Sequence, residues 1–144
     1  MKKIVQGMVF VIILFTLNNC GSVREEQVDN TNYNRQHLTT WLLVDELGYA
    51  YAEVPYKCDS MYQWRTTAVN GAFSFAQSDQ CEFDFDGLNG YYGDAFDDII
   101  RIVDEGHHVK NHIPYACQYF GVSSTYGDGR FAYDEDDMCT FSFE

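Results

Sequence analysis

The sequence predicts an α+β protein built from two tandem, related repeats. Three observations carry that expectation. First, the chain matches itself: Val54-Pro55-Tyr56-Lys57-Cys58 meets Ile113-Pro114-Tyr115-Ala116-Cys117 at an offset of 59 residues, as Val44-Asp45-Glu46 meets Val103-Asp104-Glu105. From Gly71 the offset is 58, and Gly71, Phe73, Phe75, Asp79, Cys81, Phe83 and Phe85 meet Gly129, Phe131, Tyr133, Asp137, Cys139, Phe141 and Phe143. Self-similarity at a fixed period marks a repeat architecture. Second, apolar residues near the start of each copy fall at helical spacing. Third, each copy closes on aromatics that alternate with polar residues, the period of a strand with one buried face.

In chain order, residues 1–19 come first. Met1-Lys2-Lys3 followed by a mostly apolar run from Ile4 to Leu17 reads as a secretory signal peptide. The run is short of the roughly 20 apolar residues a membrane span needs. Its end, Leu17-Asn18-Asn19-Cys20, resembles a bacterial lipoprotein signal, although Asn19 stands where that class places Gly, Ala or Ser. The resemblance implies lipidation of Cys20 and a cell-envelope location. Gly21 after the cysteine resembles lipoproteins sorted to an outer membrane; ordinary secretion is the other reading.

Five cysteines are an odd set, and an exported chain needs a reason for a spare thiol. Assigning Cys20 to a lipid leaves Cys58, Cys81, Cys117 and Cys139. Losing Lys2 and Lys3 with the leader leaves seven Lys and Arg against 22 acids, a charge of −15 on the mature chain. Residues 20–35 are polar and aperiodic beyond the cysteine and read as a flexible tether.

Residues 36–90 form repeat 1 and residues 91–144 repeat 2. Each is expected to open on an amphipathic helix. In repeat 2, Phe96, Ile99, Ile100 and Val103 fall at i, i+3, i+4 and i+7. Asp94, Asp97 and Asp98 would occupy the first turn and Gly106 the C-cap. In repeat 1, Leu38, Trp41, Leu42 and Val44 would match, with Gly48 as the stop. The residue before proline avoids helical geometry, so Val54 and Ile113 should be extended. About three antiparallel strands should follow in each copy. The clearest are Phe73/Phe75 with Cys81/Phe83/Phe85, and Phe131/Tyr133 with Cys139/Phe141/Phe143. Repeats of this size have marginal cores, and one disulfide per repeat is the economical staple. Four cysteines allow three pairings; the duplication favours Cys58–Cys81 and Cys117–Cys139.

Composition narrows function. With a charge of −13 and pI ≈ 4.4, the chain is a poor nucleic-acid ligand. His107, His108 and His112 lie close in sequence, but Lys110 sits among them and would repel a cation. Asp84-Phe85-Asp86-Gly87-Leu88-Asn89-Gly90 departs from a calcium loop, with Leu88 at the fifth position and Asn89 where a glycine belongs. No nucleophile-elbow, zinc-protease or phosphate-loop motif occurs. Neither a metal site, a cofactor nor a catalytic residue is therefore expected, and the protein is expected not to be an enzyme.

What remains is surface. Tyr91, Tyr92 and Tyr126 stand in Gly- and Ser-rich stretches that suit contact loops. Asp134, Glu135 and Asp136 are candidates to dock a basic partner. The expectation is an exported acidic lipoprotein that binds a macromolecule, in its concrete form as an inhibitor or immunity-type protein against a basic protein such as a cationic hydrolase. Tandem α+β halves with one disulfide each are similar in architecture, though in no motif, to secreted β-lactamase inhibitory proteins. A structural envelope lipoprotein and a metal- or calcium-dependent module are the alternatives. Membrane contact would run through the N-terminal lipid alone.

Overall fold

A computed structural model describes residues 37–91 and 97–144. The signal peptide, Cys20 and the tether lie outside the described residues, as do Tyr92, Asp94 and Phe96. Nine strands follow in order: β1 (Leu38–Val44), β2 (Pro55–Cys58), β3 (Arg65–Thr66), β4 (Ala72–Ala76), β5 (Gln80–Asp84), β6 (Arg101–Asp104), β7 (Pro114–Cys117), β8 (Gly121–Ser124) and β9 (Met138–Ser142). They form a three-stranded sheet, β4-β1-β6, and a six-stranded sheet, β3-β2-β5-β9-β7-β8. Every named pairing is antiparallel. Residues from both sheets share one core, in which Leu43, Phe73, Phe75 and Ile102 meet Tyr56, Phe83, Tyr115, Phe141 and Phe143.

The α+β expectation is therefore corrected to an all-β fold, with no helix among the described residues. The segment expected as the repeat 1 helix is β1, and the end of the expected repeat 2 helix is β6. The helical spacing has a different cause. β1 is the middle strand of its sheet, and Leu42, Leu43 and Val44 are all buried. Leu43 enters the main core, while Leu42 and Val44 join Val103 in a second apolar cluster. A strand covered on both faces reads as a continuous apolar run, and such a run contains helical spacings by chance. Thr39, Thr40, Trp41 and Val44 favour strand geometry over helix. The likeness to β-lactamase inhibitory proteins rested on the helices and lapses with them.

Gly48 and Gly106 do not cap helices. Each lies in a turn organised by an aspartate. Asp45 Oδ1 accepts the N–H groups of Leu47 (2.8 Å) and Tyr49 (2.7 Å), and Asp104 Oδ1 accepts those of Gly106 and His108 (both 2.9 Å). Short carboxylate side chains stabilise such turns by bonding backbone a few residues on. The chain then doubles back, bridging Val44 to Ala50 and Val103 to Val109.

Those turns are one instance of a wider match between the two stretches. Thr67 Oγ1 accepts the Val54 N–H and donates to the Tyr51 carbonyl, and Thr125 Oγ1 accepts the Ile113 N–H and donates to the Lys110 carbonyl. Glu53 and His112 share the same left-handed backbone, at φ 62° and 57°. The Tyr56 hydroxyl accepts the Ser74 N–H, as the Tyr115 hydroxyl accepts the Ala132 N–H. Both sheets centre on this relation. Glu82 pairs with Thr140, its counterpart at offset 58, and Leu43 pairs with Ile102, its counterpart at offset 59. Each antiparallel ladder is thus an approximate two-fold, and each sheet draws strands from both stretches.

Two features hold this frame. The disulfides are Cys58–Cys81, across β2 and β5, and Cys117–Cys139, across β7 and β9. Two glycines allow close backbone approach. A Cβ on Gly71 would lie 2.2 Å from the Leu43 carbonyl oxygen, and one on Gly129 would lie 2.8 Å from that of Ile102. Both also have positive φ, at 78° and 81°, where glycine alone carries no steric cost.

Candidate functional site: an acidic loop surface

The turns before β5 and β9 are built alike around one buried aspartate each. Asp79 Oδ2 accepts the Ala76 N–H (2.9 Å) and the Ser60 hydroxyl (2.5 Å). Asp137 accepts four N–H groups: Tyr119 and Met138 on Oδ1, Phe120 and Asp134 on Oδ2. A buried carboxylate needs such donors to offset lost hydration. Ser78 and Asp136 take the same left-handed conformation, at φ 66° and 54°. The exposed chemistry differs. Ala76-Gln77-Ser78 makes the first turn, and Asp134-Glu135-Asp136 makes the second.

The second turn lies against the loop that follows β5. Asp136 Oδ1 accepts the Gly87 N–H (2.8 Å), and the Asp136 N–H donates to the Leu88 carbonyl. Phe85 N–H donates to the Asp137 carbonyl. Asp84 Oδ1 takes the Asp86 N–H, and Asp98 Oδ2 takes the Asn89 N–H. Asp84, Asp86, Asp134, Glu135 and Asp136 therefore lie on two joined segments, and Asp98 bonds the first of them at Asn89. Residues 84–90 and 134–137 contain no Lys or Arg. Loop carboxylates in the stretch that faintly suggests a calcium loop bond loop backbone.

Three of the five Lys and Arg among the described residues pair with other carboxylates. Lys110 donates to Asp104 (2.8 Å) and lies 5.3 Å from the Trp41 ring centre. Arg101 and Arg130 both approach Asp128, and Arg130 also donates to the Tyr91 hydroxyl (2.7 Å). The negative field reaches nearby phenols. Burial first, then the carboxylates of Asp98, Asp45 and Glu46, push the Tyr51 hydroxyl up to about 12. Burial, with Tyr51, Asp98 and Asp97 nearby, raises the Tyr133 hydroxyl as well.

The sequence candidates separate in space. Asp134, Glu135 and Asp136 share the acidic turn. Tyr91 bonds its backbone to Tyr133 beside that turn but is buried, with 8% of its surface exposed. Tyr126 is 47% exposed and follows the far end of β8, away from the β7–β8 turn that Asp137 holds. Sequence reading missed Tyr119, 63% exposed in that β7–β8 turn, whose N–H bonds Asp137. It also missed the nearness of Asp84, Asp86 and Asp98. Aligning the two turns residue by residue would have singled out the acids.

Histidines 107 and 112 occupy left-handed turn positions, and His108 Nδ1 lies 3.2 Å from Asp104. Asp79 and Asp137 each lie within 4.8 Å of a cysteine pair, but those sulfurs are bonded to each other. No family model matches the chain, nor does any curated protein or solved structure.

Proposed function

We propose that the chain is an exported, lipid-anchored module that binds a basic protein through the acidic loop surface. The observation that carries the reading is an internal control. The turn before β5 adopts the same conformation and the same aspartate anchor with Ala76-Gln77-Ser78 as the turn before β9 does with three acids. The fold therefore does not require Asp134 and Glu135 to be acidic, whereas the Asp136 carboxylate also accepts the Gly87 N–H. Placing them beside Asp84, Asp86 and Asp98 costs repulsion, since like charges at close range destabilise. An unopposed patch of one sign steers an oppositely charged partner and speeds encounter. Tyr119 and the neighbouring loops supply contact area at low entropic cost. An inhibitory or immunity-type role against a cationic hydrolase is the concrete form of this reading.

The test is a graft. The mature protein carrying D134A and E135Q, the residues at those places in the other turn, is compared with the parent for capture of basic proteins from an envelope extract. Affinity for the captured protein should fall at least tenfold in the graft, while the melting temperature changes little. Raising salt from about 50 mM to 500 mM should weaken the parent in the same direction, because the Debye length contracts well below 10 Å. Affinity unchanged by both the graft and salt would overturn the proposal.

A further inference from the structure

The approximate two-fold sets equivalent loops at opposite ends of the six-stranded sheet. β5 and β9 pair antiparallel, with Asp84 opposite Met138 and Gln80 opposite Ser142. The acidic turn that leads into Met138 is therefore at one end, and the Ala76-Gln77-Ser78 turn that leads into Gln80 is at the other. β2 also finishes at the second end, where Cys58 pairs with Cys81, and the β2–β3 loop follows there. The Ser60 hydroxyl ties that loop to Asp79, which also accepts the Ala76 N–H.

Two features set this second end apart. It presents aromatic rings beside a cation: Tyr62 is 85% exposed and Trp64 45%, and Arg65 next to them is exposed too. Arg65 forms no ion pair among the described residues. The exposed acid of the loop, Asp59, accepts the Gln80 N–H. The counterpart stretch at the acidic end, from Tyr115 to its partner Ser123, is one residue shorter than that from Tyr56 to Arg65 and contains neither Trp nor Arg. The second end is also where the chain enters. Leu38, 52% exposed, pairs with Ala76, so the residues that follow Cys20 join the fold beside the Ala76 turn. Sixteen residues lie between Cys20 and His37, a reach of under about 60 Å even when fully extended.

We infer that this end rests on the bilayer that holds the Cys20 lipid, with Tyr62 and Trp64 at headgroup level and Arg65 on lipid phosphate. The inference rests on the lipid-anchored reading and goes beyond it, since the lipid is then not the sole membrane contact. Trp and Tyr collect where a bilayer meets water, because each ring has an apolar body and a polar tip. The guanidinium fork of an arginine matches phosphate oxygens. Charge sets the orientation. An acidic chain is repelled by an anionic surface, and least so with its acidic end farthest away. Gln80 and Asp84, at the two ends of β5, stand roughly 14 Å apart at strand spacing. That exceeds the Debye length of about 8 Å at physiological salt. The acidic loop surface is thereby turned from the membrane towards a soluble partner.

Tryptophan quenching tests it. The lipidated mature protein is placed in vesicles of phosphatidylethanolamine and phosphatidylglycerol, with or without bromine on the acyl chains near the headgroups. Flotation first reports whether the lipid holds the protein. Brominated vesicles should at least halve the Trp64 emission, read as the difference between the parent and Trp64→Phe. Arg65→Glu should reduce that quenching at least twofold while flotation and melting temperature stay the same. Val122→Ser, at an exposed site beside the β7–β8 turn, should leave it unchanged. Protein that floats with Trp64 unquenched overturns the inference and leaves the anchored reading standing. So does quenching that Arg65→Glu leaves intact. Protein that does not float overturns the anchored reading, and this inference with it.

Discussion

Residues 76–79 and 134–137 are the same turn twice, and comparing them separates frame from surface. Both turns keep a buried aspartate and a left-handed third residue. Only one adds three acids, and only that one has its aspartate gathering four backbone donors. The same contrast recurs elsewhere. Asp45 and Asp104 fold identical turns, yet Tyr51 follows one and Lys110 the other. Buried polar groups agree between the stretches because each has a partner to satisfy. Exposed groups differ because nothing in the fold constrains them, and that freedom is where function has room.

The frame breaks first at its glycines. Gly71→Ala imposes a strained φ and drives a Cβ into the Leu43 carbonyl, so the loss should reach roughly 3–5 kcal/mol, combining backbone strain with overpacking. Gly129→Ala meets its carbonyl at 2.8 Å rather than 2.2 Å and should cost less. Urea denaturation of both variants reads the difference; equal losses would mean that strain alone, not the clash, sets the cost.

The disulfides test equality rather than difference. They close loops of sequence separation 23 and 22. Replacing either pair by alanine should cost about 3 kcal/mol in the chain-entropy view, and nearly the same for both. The buried aspartates should not behave equally. Asp137→Asn leaves backbone donors facing an amide, for a loss of about 2–3 kcal/mol, since bonds to charged groups are the stronger kind. Asp79→Asn, with two donors to satisfy, should lose less. Melting curves rank the pair, and a larger loss at Asp79 would contradict the reading of Asp137 as the tie between the β7–β8 turn and the acidic turn.

Much of this frame was legible in the sequence, and the failures have a physical pattern. Pro55 and Pro114 open β2 and β7, and the alternating Phe73/Phe75, Cys81/Phe83 and Cys139/Phe141 lie on strands, because half-covered strands write their period into the chain. Phe131 and Tyr133 alternate equally well yet lie outside the named strands, with Tyr133 in an isolated bridge to Tyr91. β1 was unreadable because both faces of its C-terminal end, Leu42–Val44, are covered, which erases alternation there; Leu38, Trp41, Leu42 and Val44 then match a helix as well as a strand. Gly48 and Gly106 reinforced the error, since a glycine after an apolar run marks a helix end and a tight turn alike. The acidic turn was visible as charge. Its meeting with Asp84, Asp86 and Asp98 depends on long-range packing that no local pattern records.

The smallest effect isolates one cation. Lys110 donates to Asp104 Oδ2, and His108 and Gly106 donate backbone N–H groups to Oδ1. The Lys110 bond is the largest influence holding the Asp104 carboxyl well below the usual carboxylate range, with the His108 N–H next. A carboxyl depressed in the folded state contributes stability above its unfolded value, near 4, and loses that contribution as pH falls further. Lys110→Tyr gives this turn the residue that follows Asp45 in the other stretch. Solvent still reaches and screens this half-buried pair, so global stability should move little. The Asp104 carboxyl, followed by carbon NMR as acid is added, should titrate at higher pH in the variant. An unchanged titration would assign the depression to the two backbone N–H groups, and the two turns would then be electrostatically alike despite their different neighbours.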